Sequence, residues 1–493
     1  MTVVNAPEPN TSELPDAAPP GPRAPVWLAL LAASIPMFMA TLDNLVMTNA
    51  LPVIKVHLNA SVSQLEWFMN AYTLAFATLM LAAAGVGDRW GRRRVFLGGI
   101  GLFTLGSVGA ALSSTPAELI VARAVQGVGA AAILPLSLAL LAGAVPESKR
   151  AMAIGVWGGV SGLGVALGPV VGGAIVEGIS WQAIFWINVP VGAIAVALVY
   201  RALAETRPTK VRLDIIGVVL AGAGVFLGVW AIVHGNDSGW SSAAVVLPLV
   251  ASAILLSAFV AWELRVAQPV MPMRLYRSRN FSVANVTSLA FSLGMFGAVF
   301  LLVQYLQVVM GYSPLEAGLR TLPWTAAPMI VAPIAGMLAP RIGLRPLLVS
   351  GLALQAGSLL WMAQLLGPGM QYVDLIPALV MAGVGMGLTF APSATAVLTD
   401  LGEADHAAAS SVNSTVREMG VALGIAVLAA VFLGYGGQIT PFGFDGALQP
   451  ALYVGAAVVA VGVVAALFLP GRGERVEEES VPVPAIPAEA RAL

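Results

Sequence analysis

The chain has 493 residues, 58% of them hydrophobic and only 10% charged, with a mean hydropathy of +0.88. A soluble domain is roughly half apolar and a quarter charged, so this chain folds in lipid, and its net charge of −1 gives no ground for a nucleic-acid partner. With no cysteine and three scattered histidines, His57, His234 and His406, disulfides, thiolate metal sites and a cysteine nucleophile are excluded, and no cofactor or metal is implied.

The first 25 residues are rich in Pro and Ala, carry Glu8, Glu13 and Asp16, and lack a basic run before an apolar core. They read as a disordered cytoplasmic tail, not a signal peptide. A helix crosses the hydrocarbon core with about 20 mostly apolar residues, and fourteen such runs follow. The first eight are 26–50, 65–86, 95–113, 117–143, 151–176, 181–203, 213–233 and 242–262. The other six are 281–309, 316–339, 345–366, 373–398, 408–433 and 448–469. Continuous apolar runs exclude a barrel, whose strands alternate over about ten residues; the expected fold class is an all-α membrane protein. The tail 471–493, with Glu477, Glu478 and Glu479, reads like the first.

Lys and Arg accumulate in short cytoplasmic loops. Of the 24 basic residues, Arg123, Arg320 and Arg417 fall within or at the edge of predicted helices. With the N-terminus inside, twenty others fall on the cytoplasmic side and only Lys55 outside. A miscounted helix would invert every later loop, so the asymmetry supports an even helix number, a multi-pass chain in the cell membrane and both termini in the cytoplasm.

The sequence repeats itself. Asp88-Arg89-Trp90-Gly91-Arg92-Arg93 returns, degraded, as Pro340-Arg341-Ile342-Gly343-Leu344-Arg345, 252 residues on. Gly164 and Gly168 match Gly420 and Gly424, and Gly127 and Gly129 match Gly383 and Gly385, each offset by 256. Helices 1 to 6 thus correspond to helices 9 to 14: a bundle at 26–203, two inserted helices and a linker at 204–280, and a second bundle at 281–470. Duplicated six-helix halves are typical of secondary transporters, with the substrate site between them.

The loop after helix 2, Gly85-Val86-Gly87-Asp88-Arg89-Trp90-Gly91-Arg92-Arg93-Arg94, resembles the signature loop of the major facilitator superfamily, with Ala84 where the family usually has its first glycine. Its glycines permit a tight turn, and Asp88 can accept from a helix N-terminus or an arginine. Such a lock of Asp88, Arg89, Gly91 and Arg92 would stabilise one side of a rocking transporter; a merely basic loop would account for the arginines alone. In helix 5, Gly155, Gly164, Gly168, Pro169, Gly172 and Gly173 resemble the antiporter pattern of the superfamily. Small residues let helices approach and Pro169 bends the helix, a gating role that generic packing could mimic.

Helix 1 carries Leu42-Asp43-Asn44-Leu45-Val46-Met47-Thr48-Asn49-Ala50-Leu51-Pro52, similar to the signature of the fourteen-helix drug:proton antiporter family, although Leu45 and Thr48 depart from it. A carboxylate at Asp43 costs several kcal/mol unless paired or protonated, which makes it the expected proton carrier, a structural ion pair being the alternative. Arg123, in the string Arg123-Ala124-Val125-Gln126-Gly127, resembles the helix 4 motif of the same exporters and is expected at the depth of Asp43. The two are expected to interact; an Arg123 reaching to the headgroups is the other reading. Arg417 and Glu418 in helix 13 also resemble the fourteen-helix family. Neighbours on a helix diverge by about 100°, so they are expected not to pair with each other; Glu418 is a second proton or cation candidate, with structural pairing equally open. Asn44, Trp67, Tyr72, Trp157, Gln304, Tyr305, Trp324 and Asn413 are cavity candidates, packing being the alternative for the aromatics.

The resemblance covers 26–470 and implies a major facilitator fold with two extra helices. It also implies alternating access and proton-coupled export of an amphipathic drug, antibiotic or metabolite by a monomer. No Gly-x-x-x-x-Gly-Lys loop is present, so the proton gradient rather than ATP is the expected energy source. Uptake by proton symport and a non-transporting receptor or scaffold are the alternatives; no Ser/His/Asp constellation suggests an enzyme.

Overall fold

The computed structural model describes residues 24–206, 213–367, 369–402, 405–444 and 446–470. The tails expected at 1–25 and 471–493 therefore lie outside the described residues apart from positions 24 and 25, as do linker residues 207–212.

The described residues contain α-helices and one short 3-10 turn, and no strand. In lipid, the backbone must satisfy its own hydrogen bonds, and helices do so within one segment. The first bundle comprises α1 (Val26–Leu58), α2 (Val62–Trp90), α3 (Arg92–Leu112), α4 (Pro116–Ala144), α5 (Glu147–Gly178), and α6 (Ala183–Trp186) continued by α7 (Asn188–Ala202). Next come α8 (Ile215–Ser238) and α9 (Ala243–Glu263). The second bundle comprises α10 (Arg279–Val308), α11 (Pro314–Thr325) continued by α12 (Ala327–Ile342), α13 (Leu344–Leu365), α14 (Tyr372–Leu398), α15 (His406–Gly434) and α16 (Leu448–Leu467). Thirteen of these segments are long and apolar enough to cross a bilayer, and α2, bent by 54° between Met80 and Ala82, makes the fourteenth. The helices alternate in direction, so Val26 and Leu467 lie on one face, here called the terminal face.

Several of the helices that start on the opposite face open with strong caps. Ser61 with Gln64, Thr115 with Glu118 and Ser313 with Glu316 form capping boxes on α2, α4 and α11, the last two with a proline in the first turn. Each box satisfies N–H groups that the helix itself leaves open.

The two bundles are packed alike. A methyl added at Gly127 would sit 2.3 Å from the Tyr72 carbonyl, and one at Gly383 would sit 2.5 Å from the Trp324 carbonyl. Gly168 lies against Leu45 as Gly424 lies against Leu293. These glycines are where helices touch backbone to backbone, so the repeat in sequence is a repeat of helix contacts. Gly91 and Gly343 both have positive φ, +101° and +89°, so the degraded loop copy keeps the turn of the original.

The inserted helices α8 and α9 pack on each other, and α8 lies across the seam between α2 and α15. Trp67 meets Phe226 and Trp230 of α8 at 5.5 and 5.7 Å between ring centroids. Asn236 donates to the Ala430 carbonyl (2.6 Å) and Ser63 to Asp237 (2.9 Å), so α8 is tied to both bundles.

Candidate functional site

Asp43 lies midway along α1, 4% exposed, and points into the first bundle. Arg123 Nη1 donates to its Oδ2, with side-chain exposures of 0% and 1%. Asp43 Oδ1 accepts from Asn188 Nδ2 (2.8 Å) and Gln126 Nε2 (3.2 Å), and both amides also donate to Ser107 Oγ, at 3.2 and 2.8 Å. Arg123 donates further to the Phe68 carbonyl and to Gln126 Oε1, both at 3.0 Å, and stacks 4.4 Å over the Tyr72 ring. The Tyr72 hydroxyl donates to the Ala40 carbonyl at 3.1 Å.

The pairing expected between Asp43 and Arg123 is thus present. The remaining hydrogen-bonding members of the cluster are Gln126, on α4 with Arg123, and two residues from other helices, Ser107 of α3 and Asn188 of α7. Sequence reasoning gave none of them a role, although a lone amide in an apolar span, as at Asn188, is a usable signal.

A narrow apolar cavity lies between the bundles, lined by Leu45, Thr48, Pro169, Phe296, Trp324 and Met386 among others. Trp324 takes the place expected of it, but the other cavity candidates are placed elsewhere. Trp67 faces α8, and Tyr72 serves as the platform under Arg123. Trp157 donates to Ser137 within the first bundle (3.1 Å). Gln304 donates to the Phe300 carbonyl of its own helix (3.1 Å), and Tyr305 packs edge-on to Phe444. Asn413 donates to Ser288 and Asn285 of α10, and Asn44 is half-buried and outside the cavity lining. Tyr72, Trp157, Gln304, Tyr305 and Asn413 find packing or hydrogen-bond partners inside their own bundle, and Trp67 finds them on α8, leaving generic apolar atoms to line the cavity.

The helix 5 glycines close the cavity on the face away from the termini. A methyl at Gly168 would meet Leu45 Cβ at 2.6 Å, one at Gly172 the Val46 backbone at 2.9 Å, and one at Gly173 the Pro314 carbonyl at 2.3 Å. Gly164 sits against Thr41 at 3.3 Å, whereas Gly155 has no neighbour within 4 Å and takes no part. Asn49 donates to the Pro169 carbonyl (2.5 Å) and to the Pro314 carbonyl (3.3 Å), Gln307 donates to the Asn49 carbonyl (2.9 Å), and Lys55 to the Ile439 carbonyl (2.7 Å). α5 packs along α11 at the closed end, whereas toward the terminal face it barely touches α12, which buries only Ala335. The bundles therefore meet at one end and part at the other.

On the terminal face, Asp88 pairs with Arg92 at 2.6 Å, and Arg89 is exposed. The N-terminus of α3 is held instead by Glu205, which accepts from the backbone N–H of Arg93 (3.0 Å) and Arg94 (3.1 Å). Gly91 is needed twice over: its φ is +101°, and a methyl there would strike the Glu205 carboxylate at 2.8 Å. The lock thus joins α2 and α3 to the segment after α7 within one bundle.

Arg417 and Glu418 correct an expectation. Their side chains approach to 3.9 Å, Arg417 also lying 4.9 Å from the Phe390 ring centroid. The length of the guanidinium arm overcomes the divergence of neighbouring Cβ vectors, although at that distance they share no hydrogen bond.

A family model described as Major Facilitator Superfamily matches residues 33–425 and 289–492. The multidrug resistance protein Stp of Mycobacterium tuberculosis (strain CDC 1551 / Oshkosh) is 34% identical over 410 residues, 83% of this chain and 76% of that protein. The methylenomycin A resistance protein of Streptomyces coelicolor is 35% identical over 439 residues, 87% of this chain and 90% of that protein. The crystal structure of a bacterial homolog to the human lysosomal transporter Spinster superposes with a TM-score of 0.64 at 15% identity, covering 93% of this chain and 99% of that one, a likeness of fold. Two equivalent bundles, the helix 2 loop and this coverage together make the chain a member of the major facilitator superfamily.

Proposed function

We propose that this protein exports amphipathic small molecules, drugs or antibiotics among them, across the cell membrane in exchange for protons. It does so by alternating access, as a monomer with both ends in the cytoplasm. The observation that carries the reading is the buried Asp43–Arg123 pair, held by Gln126 and Asn188, beside an apolar cavity closed by the helix 5 glycines. Protonation of Asp43 from outside frees Arg123 and loosens α1 from α4, while apolar walls accept many substrates by dispersion contacts. Relatives named for multidrug and methylenomycin A resistance support export, and the basic residues of the terminal face support its cytoplasmic placement.

The test uses everted membrane vesicles energised to be acid inside, with a ΔpH-sensitive dye and a panel of amphipathic compounds that includes ethidium. Export in exchange for protons dissipates the gradient on addition of a substrate, and Asp43→Asn abolishes that response. Uptake by symport would leave everted vesicles unresponsive and show proton entry with substrate in right-side-out vesicles.

A further inference from the structure

A second buried carboxyl lies outside the Asp43 cluster. Glu66 stands one turn into α2, toward the face away from the termini, with 0% exposure and no hydrogen-bond partner for either carboxyl oxygen. Asn70, one turn on, is equally buried, and neither its amide nitrogen nor its oxygen has a partner. At 3.6 residues per turn the two share one flank of the helix. Phe68 and Tyr72, which turn to Arg123 of α4, lie on another flank, and Trp67, against α8, lies on a third.

The charged groups on the elements around α2 are few. Arg123 of α4 is committed to Asp43, and Lys55 of α1 to the Ile439 carbonyl. Arg417 and Glu418 of α15 face each other at 3.9 Å, and α3 brings Arg92, Arg93 and Arg94 only at the terminal face. Asp237, exposed at the end of α8 and bonded to Ser63, is the charge that acts on Glu66, while His234 of α8 is stacked on Trp230, Glu118 is spent in the cap of α4 and His57 of α1 lies on the Val53 carbonyl. No group of three or more His, Cys, Asp or Glu side chains able to hold a metal exists among the described residues. A carboxylate buried at 0% exposure without a counter-ion neutralises rather than bear the cost of its charge, and the ligand that a lone buried carboxyl takes is a proton. A neutral acid and the amide one turn away are within reach of a mutual hydrogen bond.

We propose that Glu66 is a proton-binding switch for closure on the face away from the termini: the bundles meet there only with a proton on Glu66. This rests on the alternating-access reading and its orientation. Opening that end draws α2 away from α15, wets Glu66 and lets its proton leave to the same side. Because the closed form holds one more proton than the open form, closure is favoured as external pH falls. An acidic exterior then returns the emptied carrier to the state that faces the cytoplasm.

The chain's lack of cysteine allows a direct test in whole cells. Thr48→Cys places a thiol in the cavity lining, and a membrane-impermeant maleimide added outside reports opening of the outer end. Labelling, divided at each pH by that of Thr48→Cys carrying the Gly173→Trp wedge so that the thiolate's own rise with pH cancels, should rise with external pH by at most about tenfold per unit for a single proton. In Glu66→Gln, which fixes the neutral form, it should stay low and flat. An unchanged pH profile in Glu66→Gln would overturn the switch. Gly173→Trp, which wedges α5 from the α11 backbone, separates the two ideas. If Thr48→Cys stays unlabelled even there, alternating access itself fails; if it labels there while Glu66→Gln follows the parent profile, only the switch fails.

Discussion

Asp43→Asn removes the charge from one member of a fully buried pair and leaves Arg123 with the Phe68 carbonyl, Gln126 and the Tyr72 ring. Breaking a buried ion pair by removing one partner costs about 3–5 kcal/mol. The asparagine still accepts from Gln126 or Asn188, so the lower end applies, about 3 kcal/mol, roughly a hundredfold in an equilibrium constant. Thermal melting of the purified protein in detergent should fall accordingly. Arg123→Met should cost a similar amount, by stranding the carboxylate. In the double variant Asp43→Asn/Arg123→Met no charge is stranded, so its loss should undershoot the sum of the singles by about 0.5–3 kcal/mol. Neither single nor double variant should exchange substrate for protons. Additive losses, or an Asp43→Asn protein that melts and transports as the parent does, would refute the coupling.

Other substitutions probe the remaining contacts. Gly173→Ala drives a methyl into the Pro314 carbonyl at 2.3 Å, whereas Gly155→Ala meets nothing within 4 Å; the first should lose about 1–3 kcal/mol by overpacking and lose exchange, and the second should do neither. Trp67→Ala empties the contact with Phe226 and Trp230 and should cost about 3–5 kcal/mol in melting without altering which compounds are exported; a changed compound profile at unchanged melting would return Trp67 to the cavity. Arg274, bonded to Asp405 at 2.5 and 2.6 Å, holds that carboxyl below its usual range. The stabilisation is in place at neutral pH and disappears as pH falls through the lowered value, so melting curves of Asp405→Asn and the parent should differ slightly at neutral pH and converge in acid.

The fourteen spans were legible because a helix in lipid is written locally, as one uninterrupted apolar run. The repeat was legible because backbone contact admits only glycine at Gly127 and Gly383, wherever the partner helix comes from. Asp43 and Arg123 stood out as charges among apolar neighbours. What the sequence hid depends on partners distant along the chain. Ser107 and Asn188 reach Asp43 only because α3 and α7 pack beside it, and Glu205 caps α3 from 111 residues beyond Arg94. Trp67 turns to a helix that neither bundle contains. The cavity lining was illegible for a simpler reason: Leu45, Phe296 and Met386 look like any other core residue, since dispersion contacts leave no pattern.

The repeat also says why the charge pair exists. Matching α1 to α10 through Leu45 and Leu293 places Phe291 where Asp43 stands; matching α4 to α14 through Gly127 and Gly383 places Leu379 at Arg123 and Ala382 at Gln126. The offset that relates Tyr72 to Trp324 places Leu359 at Ser107. All four counterparts are buried hydrophobic residues. The same architecture is therefore built once around an ion pair and once around packed apolar side chains. Replacing a buried pair by well-packed hydrophobics is often neutral or stabilising by about 1–4 kcal/mol, so stability gives no reason for the first bundle to keep its charges. A group that can lose its charge and release its partner is what the apolar version lacks. If the proposed proton response belongs to this pair, grafting Asp43→Phe with Arg123→Leu, Gln126→Ala and Ser107→Leu should yield a protein that folds and melts at or above the parent temperature yet exchanges nothing for protons.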